Sequence, residues 1–146
     1  MADLHKSMEL DIVTPEKIIF QGEVDEIYVN TADGAIGILP HHINLFTKLI
    51  PGELKLKISG KEQYMALTGG FLEINKNKVT ILADYAIHAD DIDVNKAMEA
   101  RKHAEEILKK KESRINEQEF AAAEAAFKQA VAELKVAGHR HKRSVH

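Results

Sequence analysis

Residues 33–58 read DGAIGILPHHINLFTKLIPGELKLKI. This largely apolar stretch begins with one strong turn signal and contains a second. Asp33-Gly34 and Pro51-Gly52 are typical turn pairs, because glycine supplies the positive φ that such turns need. After the second turn, apolar and charged residues alternate over 53–58, which is the period of a half-buried β-strand. The stretch therefore predicts the middle of an antiparallel β-sandwich, with a loop over 40–44 at its rim.

Short strand signals occur on both sides of this stretch, with a turn signal between each pair. The predicted strands outside it cover 8–12, 17–20, 24–31, 61–68, 71–74, 78–83 and 85–89. In the strand over 61–68, Met65 and Leu67 are predicted on one face and Tyr64 and Ala66 on the other. Many short strands with regular turns are typical of a sandwich or barrel.

Three further positions predict how the strands turn or bend. Gly37 interrupts an apolar run, which predicts a bulge or a close backbone approach. Gly69-Gly70 predicts a bend or bulge that few other residues allow. Asn75-Lys76-Asn77 is a hairpin signal between two strands.

The periodicity changes at Asp90, where a helical pattern begins. Asp90, Asp91 and Asp93 are good N-caps, and neither glycine nor proline occurs from residue 94 until Gly138. Asn116 to Glu119 resembles a capping box at the start of a second helix. One apolar stripe of that helix is expected to contain Phe120, Phe127, Val131 and Leu134. The sequence thus predicts an α+β fold, with a β-sandwich over 1–90 and an antiparallel two-helix hairpin over 91–138. Gly138 is expected to end the second helix, leaving a disordered basic tail over 139–146.

The contact face of the two predicted helices is mostly alanine. Alanine permits close approach but buries little apolar area, and each helix is near the length at which isolated helices are marginal. We expect a hairpin that is held weakly and that could detach from the sandwich. An ordinary, permanently docked hairpin fits the same pattern.

Composition and charge limit the function classes. The chain has 146 residues, no cysteine and no apolar run near the ~20 residues of a membrane span. The N-terminus lacks the apolar core of a signal peptide, so a soluble cytoplasmic protein is expected. Residues 1–91 contain 8 Lys/Arg against 14 Asp/Glu, and residues 92–146 contain 12 against 9. An acidic first part and a basic second part suggest two units with different partners.

Motifs for catalysis, metals and nucleic acid are weak or absent. No phosphate-binding loop, dinucleotide fingerprint, zinc-protease motif or nucleophile elbow occurs. His41 and His42 are adjacent and would point to opposite faces of a strand, which disfavours a metal site. The basic tail lacks interleaved aromatic residues, so we expect no nucleic-acid partner. A sandwich hydrolase would need convergent His and carboxylate ligands, and no such set emerges. A carbohydrate-binding module would usually show exposed tryptophan or tyrosine, but the chain has no tryptophan and only three tyrosines.

The central motif, Gly34-x-x-Gly37-Ile38-Leu39-Pro40-x-His42, resembles the epsilon subunits of bacterial F-type ATP synthases. The segments 68–74 and 77–84 resemble the family's core, and Asp91-Ile92-Asp93 resembles the opening of its helical part. The resemblance implies a non-catalytic subunit of the central stalk, which couples the catalytic head to the c-ring through the gamma subunit. It implies no cofactor and a peripheral position on the cytoplasmic side of the cell membrane.

The resemblance also assigns roles to particular residues. The loop containing Asp33, Gly34 and His42 resembles the part that faces the ring, although Ala35 and Asn44 depart from the usual pattern there. The hairpin corresponds to an element that can extend into the alpha/beta catalytic head and inhibit ATP hydrolysis. Its available cations are Lys109, Lys110, Lys111, Arg114, Lys128 and Lys135.

A nucleotide site of some relatives is matched only in part. Their motif corresponds to Ile92, Asp93, Lys96 and Ala97, with Lys96 in place of an arginine that would offer a planar fork to phosphate. Gln129 and Glu133 occupy second-helix positions where ATP-binding relatives have arginine. We therefore expect weak or no ATP binding.

Overall fold

The computed structural model describes residues 7–110 and 116–144. Within these residues it contains ten strands, a short 3-10 helix (Ala89–Asp91) and two α-helices. The strands are β1 (Met8–Val13), β2 (Ile18–Val24), β3 (Glu26–Thr31), β4 (Gly34–Ile38), β5 (Leu45–Leu49), β6 (Gly52–Ile58), β7 (Lys61–Leu67), β8 (Gly70–Asn75), β9 (Lys78–Ala83) and β10 (Ala86–His88). The helices are α1 (Val94–Lys109) and α2 (Glu117–Ser144).

The ten strands form one sheet that folds over into two layers. The first layer contains β10, β7, β6 and β3, with β4 paired to β3, and the second contains β5, β8, β9, β1 and β2. The layers are connected where Thr31 of β3 pairs with Leu49 of β5. The predicted β-sandwich followed by two helices is confirmed.

The sandwich core lies between the two layers. Its largest fully buried side chains come from both layers: Met8, Leu10, Ile12, Ile27, Ile38, Leu49, Leu54, Leu56, Met65, Leu67, Leu72 and Ile81. Each such side chain contributes about 1.5–3 kcal/mol of transfer free energy. Met65 and Leu67 point into this core, whereas Ala66 and Tyr64 lie on the outer face of β7, as the alternation predicts.

The turn signals at 75–77 and at Gly69-Gly70 are confirmed, whereas Gly52 and Gly37 differ from the prediction. Gly52 begins β6 without a positive φ, so the turn before that strand does not need the glycine conformation that was expected. Lys76 and Asn77 adopt φ values of 50° and 64°, as a tight hairpin requires, and Gly69 and Gly70 adopt 136° and 124°. The β3–β4 register is unbroken at Gly37, so no bulge occurs there. A Cβ on Gly37 would instead lie 2.9 Å from Cε1 of Tyr28, so the close approach is made by an aromatic ring.

Two features of the sheet differ from the prediction. β2 runs through Gln21 and Gly22 to Val24, because a strand at the end of the sheet tolerates exposed polar residues. β1 pairs with β9 in parallel, so the sheet is not wholly antiparallel. No turn links these two distant strands, so local sequence signals do not determine their relative direction.

Both helices begin where the sequence predicts. Asp93 Oδ1 accepts a hydrogen bond from the Lys96 backbone N–H at 3.1 Å, and Asn116 Oδ1 accepts one from the Glu119 N–H at 2.8 Å. These bonds satisfy N–H groups that have no partner within the helix. The Glu119 carboxylate accepts from the Asn116 side-chain amide at 3.3 Å, rather than from a backbone N–H.

The prediction that Gly138 ends α2 is wrong, because the helix continues to Ser144. The backbone of 139–144 is therefore helical rather than disordered, and the last two residues of the predicted tail, 145 and 146, lie outside the described residues. A glycine inside a helix lowers helix stability by only about 1 kcal/mol relative to alanine. Contacts that α2 makes on both sides of Gly138 offset this loss. The predicted stripe is also wrong at Val131, which is 41% exposed, whereas Ala130 and Ala132 are buried.

The second half of α2 packs on the outer face of the first layer. A separate apolar cluster forms there from residues on both sides: Ala66, Ala89, Ile92, Ala132, Val136 and Ala137. Between the helices, the buried residues of α1 are Ala97 and Ala104. The expected alanine-rich contact face is confirmed.

Candidate functional site

The three residues expected to face the ring do not form one loop. Asp33 lies in the β3–β4 turn, Gly34 begins β4, and His42 follows the opposite end of that strand. The buried Thr31 builds the turn: its Oγ1 accepts from the Asp33 N–H at 3.1 Å and donates to the Gly34 carbonyl at 2.7 Å. The apolar run after Gly34 forms a strand, which separates the two ends.

The β4–β5 loop is fixed to the β8–β9 turn by two asparagines. The His41 N–H donates to Asn77 Oδ1 at 2.8 Å, and the Lys76 N–H donates to Asn44 Oδ1 at 3.0 Å. Asn44, one of the two departures from the family pattern, thus connects the loop to the neighbouring turn. His42 Nδ1 lies 2.8 Å from the Ile43 carbonyl. In the described part of the chain, no three His, Asp or Glu residues converge as metal ligands.

An exposed apolar face covers the outer side of the second layer. Phe46 of β5, Phe71 of β8 and Leu82 of β9 are 66%, 44% and 53% exposed. The rings of Phe46 and Phe71 stack with centroids 5.5 Å apart, and Phe71 pairs with Leu82 across the strands. We call these three residues the outer apolar face. This face was not predicted from the sequence. Alternation along β8 is the available signal, because it places Phe71 and the buried Leu72 on opposite faces of the sheet.

The residues of the partial nucleotide motif serve mainly structural roles. Ile92 is buried in the helix–sandwich cluster, and Asp93 is the N-cap of α1. Lys96 and Ala97 do line a groove of ≈ 260 Å³, together with Gln129 and Glu133. The sequence-predicted positions therefore meet in one place.

The charges in this groove do not favour a phosphate. Gln129 Nε2 donates to Glu133 Oε2 at 3.0 Å, so the amide is engaged by an acidic neighbour. Burial and, to a lesser extent, the charge of Glu133 raise the pKa of Tyr85, which also lines the groove. Glu133 thus brings a negative charge into the groove, which disfavours a phosphate there.

Four of the expected inhibitory cations fall within the described residues. Lys109 and Lys110 lie at the end of α1, and Lys128 and Lys135 lie on α2, all of them exposed. Lys111 and Arg114 lie outside the described residues. The cations are thus distributed along the hairpin rather than gathered into one pocket.

A further contact, missed by sequence reasoning, joins the end of α2 to the sandwich. The ring of His139 stacks on Tyr64 of β7, with centroids 3.8 Å apart and planes 7° apart. His139 Nε2 also pairs with the carboxylate of Glu53 on β6. The contact was not predicted because α2 was expected to end at Gly138, before His139. The predicted position of Tyr64 on the outer face of its strand was the one signal that a partner could cover it.

Comparison with known proteins identifies both parts of the chain. Residues 7–89 match the family model described as the beta-sandwich domain of the ATP synthase delta/epsilon chain. Residues 90–138 match the long alpha-helix domain of the same chain. Neither described helix has the length and hydropathy that a membrane span requires.

Individual relatives agree over nearly their whole length. An ATP synthase epsilon chain of Desulforamulus reducens is 42% identical over 132 residues, covering 90% of this chain and 98% of its own. One of Levilactobacillus brevis is 38% identical over 139 residues, covering 95% and 100%. A chain from the cryo-EM structure of the Euglena gracilis mitochondrial ATP synthase (OSCP/F1/c-ring) shares the fold. The TM-score of this superposition is 0.76, the sequence identity is 24%, and the match covers 93% of this chain and 84% of that chain. The protein belongs to the delta/epsilon chain family of ATP synthase, as one of its non-catalytic central-stalk subunits.

Proposed function

We propose that this chain couples the catalytic head of ATP synthase to the c-ring by binding the gamma subunit, and that its hairpin inhibits ATP hydrolysis. In a bacterial cell this places it at the cytoplasmic side of the cell membrane, held there by the complex. The family membership supports the subunit role. The assignment of surfaces rests on the placement of exposed residues.

The observation that carries the proposal is the outer apolar face. Exposed, contiguous apolar side chains on a soluble domain mark a surface that another protein covers. Phe46 and Phe71 are stacked, so their rings are ordered before a partner arrives. This face and the hairpin lie on opposite layers of the sandwich, so a partner can bind it while the hairpin is docked. We assign the outer apolar face to gamma.

We assign the ring contact to β4 and its two ends. Among the described residues β4 pairs only with β3, so its second edge is available. Asp33 and Gly34 lie at one end of this edge and His42 at the other. A flat contact along β4 would use all three residues, even though they do not form one loop.

We assign inhibition to the basic hairpin. Lys109, Lys110, Lys128 and Lys135 are exposed and would meet an acidic segment of the catalytic head when the hairpin extends. The alanine-rich contacts that hold it docked bury little area, which permits a small free-energy difference between the two positions.

Binding to isolated gamma tests the assignment of the outer apolar face. We expect Phe46→Ser and Phe71→Ser together to weaken binding of isolated gamma by at least about 10-fold, because each buried ring contributes about 1.5–3 kcal/mol. Met98→Ser is the matched control, since Met98 is an apolar residue of α1 whose exposure, 51%, lies between those of Phe46 and Phe71. Unchanged affinity in the double variant, with the fold intact by circular dichroism, would contradict the assignment.

A further inference from the structure

The last turns of α2 make a contact of a different kind from the rest of the helix. Through Ala132, Val136 and Ala137 the helix packs on the sandwich with small side chains. His139 then adds an aromatic stack on Tyr64 and a close contact between its Nε2 and the Glu53 carboxylate. A single side chain thus joins α2 to two adjacent strands, β6 and β7.

The sandwich side of this contact is held in place by its own neighbours. Glu53 and Tyr64 lie on the outer face of the first layer, on strands that pair in register. The Tyr64 hydroxyl donates to Glu62 at 2.9 Å, which fixes the ring on which His139 stacks. The side chains of His139 and Glu53 are only 27% and 19% exposed, so undocking α2 would return both to water.

Glu53 shows that docking has an electrostatic requirement. Its Oε2 atom is buried and has no hydrogen bond of ordinary geometry within the described residues, and His139 Nε2 is the basic atom placed against it. A buried carboxylate without a compensating partner is unfavourable. Docking of α2 therefore depends on His139 in two ways: the ring supplies the stack, and its nitrogen places a basic group beside the buried carboxylate.

We propose that His139 is a latch that holds the hairpin against the sandwich and sets how often the hairpin is released. The residue directly follows the segment matched by the family's helical domain, residues 90–138, and lies on the part of α2 that continues past Gly138. The proposal rests on the proposed function only for its consequence, which is the rate at which the hairpin becomes available to the catalytic head.

Hydrogen exchange on the isolated full-length chain tests the latch. We expect His139→Ala to accelerate amide exchange over 130–138 by about 3- to 10-fold, because local opening exposes these amides. Exchange in β8 and β9 should not change. His103→Ala is the matched control, since His103 is an exposed histidine on α1 of the same hairpin, and it should leave exchange over 130–138 unchanged.

The sign of the effect separates a latch from a local helix effect. Alanine is a better helix former than histidine, so without a latch His139→Ala would slow exchange at the end of α2. Exchange that is unchanged or slower in His139→Ala would overturn the proposal, as would equal acceleration in β8 and β9. His139→Phe keeps an aromatic ring and should lie between wild type and His139→Ala; exchange as fast as in the alanine variant would contradict the stacking role. Because no ATP synthase is present, the result is independent of whether the hairpin inhibits hydrolysis.

Discussion

Gly70 lies directly against Leu82, so that a Cβ at position 70 would overlap the Leu82 carbonyl oxygen and lie 2.9 Å from the Ala83 Cα. Gly70 also has a φ of 124°, which side chains rarely adopt. Both obstacles are backbone features and cannot be relieved by a side-chain rotation. We expect Gly70→Ala to destabilise the sandwich by at least about 3 kcal/mol, measured by urea denaturation.

Gly22→Ala is the control for this prediction. Gly22 has no positive φ, and an added Cβ would meet only the Phe20 ring at 3.5 Å, an ordinary contact distance. We expect its free energy of unfolding to change by less than about 1 kcal/mol. Comparable stabilities for the two variants would show that Gly70 is not constrained as described.

The sequence predicted features that depend on neighbouring residues. Alternation assigned Met65 to the core and Tyr64 to the outer face, and Asn75 to Asn77 predicted a tight turn, because each signal acts within a few residues. The parallel pairing of β1 with β9 could not be predicted, since it depends on strands about 70 residues apart.

The candidate site was predicted less completely for the same reason. Lys96 and Glu133 meet in one groove as expected, since the resemblance placed them together. The outer apolar face needs residues from three strands, and the latch needs a helix that continues past Gly138. Glycine is a strong helix-end signal when considered alone, but the contacts of Val136 and His139 with the sandwich override it.

Residues 1–90 should fold without the hairpin. The sandwich core is built from residues between Met8 and Ala86, and α2 contributes to a separate cluster on the outer face. We expect a fragment of residues 1–90 to show a β-type far-UV spectrum and a cooperative thermal transition. A fragment without a cooperative transition would mean that the helices are required for the sandwich to fold.

Gly138→Ala should strengthen the docked hairpin. Gly138 lies inside α2 without a positive φ, and an added Cβ would have no neighbour within 4 Å. Alanine should therefore stabilise the helix by about 0.5–1 kcal/mol, seen as a higher melting temperature at 222 nm.

Gly60→Ala provides the opposite expectation for the same chemical change. Gly60 has a φ of 82° in an open turn, so alanine there should cost about 1 kcal/mol or more through strain alone. If Gly138→Ala lowered the melting temperature as Gly60→Ala does, the helical assignment of residue 138 would be wrong.

ATP should bind the isolated chain weakly or not at all. Lys96 lacks the planar fork of arginine, and Glu133 would repel a triphosphate in the groove that both residues line. Each missing charge-assisted hydrogen bond removes about 1.5–3 kcal/mol. We expect no saturation by calorimetry at millimolar ATP. A double variant, Lys96→Arg with Glu133→Arg, should bind more tightly, and a low-micromolar dissociation constant for the unaltered chain would contradict this account.

Hydrolysis by the assembled enzyme tests the central claim most directly. Deleting residues 92–146 removes both helices and the cations Lys109, Lys110, Lys128 and Lys135, but leaves the outer apolar face and β4 intact. The truncated chain should therefore still copurify with ATP synthase, and the ATP hydrolysis rate should rise above that of the enzyme with the full chain. An unchanged hydrolysis rate, with the truncated chain present in equal amount, would contradict an inhibitory role for the hairpin.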